Sequence, residues 1–182
     1  GKRTARLAQA RNALLSLALD EVGCDFLVVV DMDNVLDTFD ASSVQSSLDI
    51  LRGGQFDVVG ANSEPLYYDM WALRTVDDWM PGDYHDVGLR NRAKVIPSKS
   101  GQPPVEVRSC FGGVAVYRAA ALRGCAYRGL DERGREICEH VPLHLCMVER
   151  GARTAIKPQM VVIAPPEHVA TVLKQCGSPP QE

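Results

Sequence analysis

Phe26-Leu27-Val28-Val29-Val30-Asp31-Met32-Asp33 is the stretch on which the reading of this chain turns. Five consecutive apolar residues leave no polar face, the pattern of a strand covered on both sides. A central place in a sheet is therefore expected for residues 26–30. Polarity returns at Asp31, which puts two carboxylates, at i and i+2, beyond the carboxyl end of that strand. In open α/β sheets that edge is where ligands bind. Two such carboxylates can share one hard divalent cation if the chain turns between them. Mg²⁺ and Mn²⁺ take oxygen ligands of this kind together with substrate phosphates. The plain alternative is that both aspartates cap a turn.

Upstream of this stretch, Leu7, Ala10, Leu14, Ala18 and Val22 recur at helical spacing, and Gly23 is a stop. Downstream, residues 40–51 read as a helix with Val44, Leu48 and Leu51 inward, ended by Gly53-Gly54. Strands are expected at 56–60, at 67–74 with Trp71 and Leu73 on one face, at 114–117, at 154–156 and at 160–164. A short helix is expected from Ala119, and another through Val141, Leu145 and Val148, ended by Gly151. Strands alternating with helices predict an α/β fold, a three-layer α/β/α sandwich around a mostly parallel, mixed sheet. Residues 77–107 are rich in Pro, Gly, Asp and Lys without periodicity, and read as a flexible loop or lid. Residues 165–182 read as a loose tail. No repeat and no second domain is visible, so residues 1–182 read as one domain.

Composition sets outer limits. The chain has 182 residues, 46% hydrophobic and 24% charged, as in an ordinary globular domain. A net charge of -3 gives no electrostatic case for nucleic acid as a partner. No run approaches a membrane span, and residues 1–4 lack the apolar core of a signal peptide. The compartment, cytoplasm or secretory-pathway lumen, stays open. The six cysteines form no CxxC pair, which argues against a zinc knuckle. Buried free thiols are expected, with disulfides as the alternative.

Other segments carry chemistry in the same chain order. Arg6 and Arg11 precede the acidic strand. Tyr67-Tyr68-Asp69-Met70-Trp71-Ala72-Leu73-Arg74 carries an aspartate and an arginine, on opposite faces if the strand is regular. A surface salt bridge is the plain reading of Arg74. Gly112-Gly113 before a strand lets backbone approach a ligand, and is otherwise a turn pair. Phe111 suits a sugar face or a core. Glu139 opens a helix in which Pro142 sits in the first turn. His140 and His144 are four apart, but Glu139 precedes the first rather than following it, so they do not make a zincin pattern.

This ordered set resembles glycosyltransferases of the GT-A type, and in particular the capsule-associated α-1,3-mannosyltransferase family and a related domain of large algal viruses. The likeness covers most of residues 3–164. It implies a metal-dependent transfer of a hexose, mannosyl or rhamnosyl in character, from a UDP- or GDP-linked donor to a glycan hydroxyl. By the same resemblance Asp31 and Asp33 hold Mn²⁺ or Mg²⁺, with His168 as a third ligand. Arg6, Arg11, Arg74, Gly112 and Gly113 contact the donor, Asp69 binds sugar hydroxyls, and Glu139 faces the acceptor as base or orienting group. It further implies a strand and loop for the nucleotide base ahead of the first helix. The chain opens in that helix, so the strand is expected to be missing. Asp31-Met32-Asp33 also resembles the first motif of haloacid-dehalogenase-type phosphatases. Asp31 would then be the nucleophile, Ser63 a second part, and Asp83 one residue of a weak acidic match. A glycan- or nucleotide-binding module without turnover is the third reading.

Overall fold

The computed structural model describes residues 1–32, 40–77, 79–83 and 95–176. The apolar stretch forms β1 (Phe26–Val30), but it lies at the edge of the sheet and not at its centre. Its neighbour is β5 (Val114–Arg118), in antiparallel register from Phe26 opposite Arg118 to Val30 opposite Val114. An edge strand needs less apolar cover, and Val28 is 39% exposed. Asp33, the second member of the acidic pair, lies outside the described residues, as does 84–94 of the expected lid.

The other strands are β2 (Val58–Glu64), β3 (Arg74–Thr75), β4 (Val105–Ser109) and β6 (Thr154–Ile163). Their order is β1-β5-β2-β6-β4-β3, a six-stranded mixed sheet. Among the described residues only β2 and β6 pair in parallel, so the expected mostly parallel sheet is corrected. The reason is connectivity. Parallel pairing needs a crossover, usually a helix, and no helix stands between β2, β3, β4 and β5 among the described residues. β4 also begins inside the stretch read as a loop.

Helices cover β5 from two sides, because its side chains alternate. Ala115 and Tyr117 pack with Ala8 and Leu15 of α1 (Arg3–Ser16) and with Leu143 and Met147 of α4 (His140–Glu149). Val114 and Val116 pack with Leu51 of α2 (Ala41–Arg52). A four-residue α3 (Ala119–Leu122) follows β5. α2 forms as expected: the Asp40 carboxylate caps it by accepting the Ser42 N–H at 2.9 Å.

Three local expectations are corrected. α1 buries Thr4, Ala8 and Leu15, while Leu14 and Val22 are 64% and 70% exposed. The chain passes into a π-helical turn over Leu17–Val22, which changes the period, before Gly23 stops it at φ 71°. Residues 67–73 are loop, not strand: the Ser63 Oγ accepts the Tyr68 N–H at 3.0 Å and Asp69 accepts the Ala72 N–H at 3.4 Å. Side chains that satisfy nearby backbone compete with a ladder. The tail begins as helix α5 (Pro166–Cys176), with Pro166 at its first position and Glu167 in its first turn. Val172 docks it, 4% exposed, in a cluster with Val107 and Ile156.

Cys125 and Cys146 form a disulfide that ties the chain after α3 to α4, against the expectation of free thiols throughout. Cys24, Cys110 and Cys138 are free. No helix among the described residues is long and apolar enough to cross a membrane.

Candidate active site

The site is built on the placement of α1. The Thr4 hydroxyl donates to the Gly129 carbonyl at 2.6 Å. Asn12 clamps the next turns, its amide N–H donating to the Tyr127 carbonyl at 2.9 Å while its oxygen accepts the Tyr127 N–H at 2.8 Å. A Cβ on Gly129 would stand 2.1 Å from the Thr4 backbone, so only glycine allows this approach.

Thus held, α1 aims Arg11 at the end of β1. The Arg11 guanidinium donates to Asp31 at 2.7 Å and stands 3.1 Å from Glu139, which precedes α4. It also lies over the rings of Phe111 and Tyr127, 5.4 and 5.9 Å from their centroids. Burial alone would lower its pKa; Asp31 and Glu139 outweigh that and hold it charged.

Asp69 enters from the 67–73 loop. Its carboxylate accepts the Gly112 N–H at 2.9 Å. Gly112 adopts φ 69°, and a Cβ there would meet the Ala61 carbonyl oxygen at 2.4 Å, so the turn that supplies this N–H requires glycine. Burial pushes the Asp69 carboxyl up to about 6; the Gly112 N–H opposes this, and Asp31 and Glu139 add to it. The Gly113 carbonyl accepts the Asp31 N–H at 2.8 Å, fastening the same turn to the end of β1.

A cavity of about 500 Å³ opens between these elements. Asp31, Asp69, Glu139 and Arg11 line it, with Arg3, Tyr68, Trp71, Phe111, His140 and His168. Five of the sequence-expected site residues, Arg11, Asp31, Asp69, Glu139 and His168, therefore share one space. His168 comes from α5 and stacks on Tyr68 at 5.3 Å between centroids.

Other expected residues stand elsewhere. Arg6 donates to the Gly1 carbonyl on the exposed side of α1, outside the cavity lining. Arg74 is 7% exposed, not the surface residue of the plain reading; it pairs with Asp83 at 3.3 Å and donates to the Leu73 carbonyl at 2.6 Å. That makes it part of the frame behind the cavity. Gly112 and Gly113 act through Asp69 and Asp31 and do not line the cavity themselves. Ser63 is buried, its hydroxyl spent on Leu66 and Tyr68, so it offers nothing to a phosphatase site.

Asp31 and His168, two of the three expected metal ligands, both line the cavity. Arg11 pairs with two of the three carboxylates, Asp31 and Glu139. The His168 Nδ1 is enclosed without a hydrogen-bond partner among the described residues. Asp33 lies outside those residues, among which no group of three or more His, Cys, Asp or Glu side chains is placed to hold a metal.

Comparison with known proteins identifies the family. A sequence profile described as Cryptococcal mannosyltransferase 1 matches residues 1–147. The chain belongs to that CAP59-type mannosyltransferase family. No curated protein matches the chain. Among solved structures, the crystal structure of A197 from STIV is similar at 17% identity with a TM-score of 0.42, over 82% of this chain and 62% of that one. The chain thus spans less than two thirds of that structure's length.

Proposed function

We propose that this chain is a metal-dependent glycosyltransferase of GT-A architecture, moving a hexose from a nucleotide-sugar to a glycan hydroxyl in the cavity described above. The observation that carries the reading is convergence. Asp31, Asp69, Glu139 and Arg11 come from four separate stretches of a mannosyltransferase-family chain and meet on one cavity at the carboxyl end of β1. Its volume of about 500 Å³ is in the range of small-molecule sites.

Asp31, Asp33 and His168 would hold Mn²⁺ or Mg²⁺, which neutralises the donor's diphosphate as leaving group. Arg11 stands between Asp31 and Glu139 and faces the negative donor. Asp69 accepts hydrogen bonds from sugar hydroxyls. Glu139 takes the proton of the acceptor hydroxyl as that oxygen bonds to the anomeric carbon and the carbon–oxygen bond to the diphosphate breaks. The helices on both faces of β5 support the three-layer arrangement that such a domain has.

Calorimetric titration with GDP-mannose and UDP-glucose, with and without Mn²⁺, tests the reading. Metal-dependent binding of one of them, lost in Asp31→Ala, is the expected result. No binding, together with Mg²⁺-dependent phosphate release from a generic phosphoester, would replace it with the phosphatase.

A further inference from the structure

One side chain of the cavity wall has none of its hydrogen-bonding capacity met. His140 is 3% exposed, and both ring nitrogens are enclosed with no hydrogen-bond partner among the described residues. The Glu139 carboxylate stands 3.8 Å from its Nε2, beyond hydrogen-bonding distance. Packing nevertheless fixes the ring. Phe111 stacks on it with centroids 3.9 Å apart at 20°, and Tyr127 meets it edge-on at 5.5 Å.

His144, one turn further along α4, shows the contrast. Its Nδ1 accepts the Cys110 N–H at 3.2 Å, and its Nε2 shares a hydrogen bond with the Tyr117 hydroxyl at 3.0 Å. The same helix satisfies one buried histidine fully and leaves the other bare. Burial, Arg11 and His144 lower the His140 pKa far below the ordinary histidine value, so the ring is neutral, with one donor and one acceptor. Leaving such groups unmet is costly, and an apolar side chain would escape the cost. The Arg11 Nε beside it is enclosed without a hydrogen bond too. Both residues line the cavity, as does Phe111.

We propose that His140 and Arg11, against the apolar wall of Phe111, form the sugar subsite of this cavity, with the imidazole of His140 binding ring hydroxyls of the hexose. A hydroxyl donates and accepts at once, which matches a neutral imidazole with both nitrogens vacant. The ring is 3% exposed, so the hydroxyl reaches it only once the neighbouring Glu139 side chain, 3.8 Å from Nε2, moves aside. The assignment rests on the glycosyltransferase reading and adds to it a specificity-determining residue.

The test compares GDP-mannose with GDP, and UDP-glucose with UDP, by calorimetry with Mn²⁺. The tighter binding of the nucleotide-sugar over its nucleotide measures the sugar contact. In His140→Leu this preference is expected to fall about tenfold, the worth of one lost hydrogen bond of ordinary strength. Nucleotide affinity stays within about twofold of the parent, and the melting temperature is unchanged or higher. His140→Gln, which keeps a donor and an acceptor, restores most of the preference. A preference that survives His140→Leu, or is absent in the parent while nucleotide binds, overturns the subsite and leaves the glycosyltransferase reading standing. A parent chain that binds none of the four probes overturns both. Failure of His140→Leu to fold also overturns the subsite, because it would mean that the ring's polar atoms serve the fold.

Discussion

Arg11 and Glu139 stand 3.1 Å apart as an ion pair, yet the Arg11 Nε makes no hydrogen bond, while Nη2 of the same guanidinium donates to Asp31 at 2.7 Å. The arginine is thus committed to Asp31 and only leans on Glu139. Arg11→Ala would remove the guanidinium from the buried Glu139 and the part-exposed Asp31. Breaking one side of such a pair costs about 3 kcal/mol or more. Urea unfolding should show a loss of that order, and nucleotide-sugar binding should fall at least tenfold. Arg11→Lys keeps the charge but not the fork, and should recover stability better than binding.

Asp69 gives the site a pH dependence of definite sign. Its carboxyl is raised to about 6 in the folded chain, chiefly by burial, from an ordinary value of 3.8. The folded state therefore holds this proton more tightly than the unfolded one. Its contribution to stability is full below pH 3.8 and is lost as the pH rises through about 6. Asp69→Asn should melt several degrees above the parent at pH 7.5 and lose that advantage near pH 4. Mn²⁺ favours the ionised form and should narrow the difference at pH 7.5. Equal pH profiles for the two proteins would contradict this account.

The clamp between Asn12 and Tyr127 supports Arg11 from outside the cavity. Asn12→Ala removes two hydrogen bonds and strands a backbone N–H and carbonyl of Tyr127, for about 2–4 kcal/mol. Nucleotide-sugar affinity should fall with it, although Asn12 does not line the cavity. Gly129→Ala pushes on the Thr4 backbone and should do the same. Chemical denaturation paired with titration measures both effects.

The Cys125–Cys146 disulfide closes a loop of 21 residues that includes the approach to Glu139. Replacing both cysteines by alanine should cost about 2–4 kcal/mol, seen as a lower urea midpoint. The parent treated with reductant should approach the same midpoint. If reductant has no effect on the parent, the bridge contributes nothing to its stability.

Much of the site was legible before the fold was seen, because its residues sit where patterns change. Asp31 ends an apolar run, and Glu139 precedes a helix marked by Val141, Leu145 and Val148. Asp69 and Arg74 were legible as residues but not in place: loop hydrogen bonds from Ser63 and Asp69 compete with a strand there, and nothing in the local pattern shows them. His140 carried a weaker signal. Its place four residues before His144 was weighed only against a zincin pattern, which Glu139 does not fit, and its isolation from any partner is visible only in three dimensions. The edge position of β1 was hidden too, since five apolar residues look alike in a centre and at a rim backed by helices. α5 was missed because Pro165-Pro166 reads as a break, while the second proline starts a helix.

That rim position has a consequence for handling the protein. Phe26–Val30 shows its outer row of backbone donors and acceptors with no strand beside it among the described residues, next to exposed Leu14, Leu17 and Val28. It carries no lysine, proline or bulge to repel a neighbour, the usual safeguards of a free edge. The ladder is open to one further strand, supplied by another segment of the protein or, in residues 1–182 by themselves, by a second molecule. For residues 1–182 taken by themselves, colloidal stability in concentrated solution, and not the midpoint of unfolding, then sets how much stays dispersed.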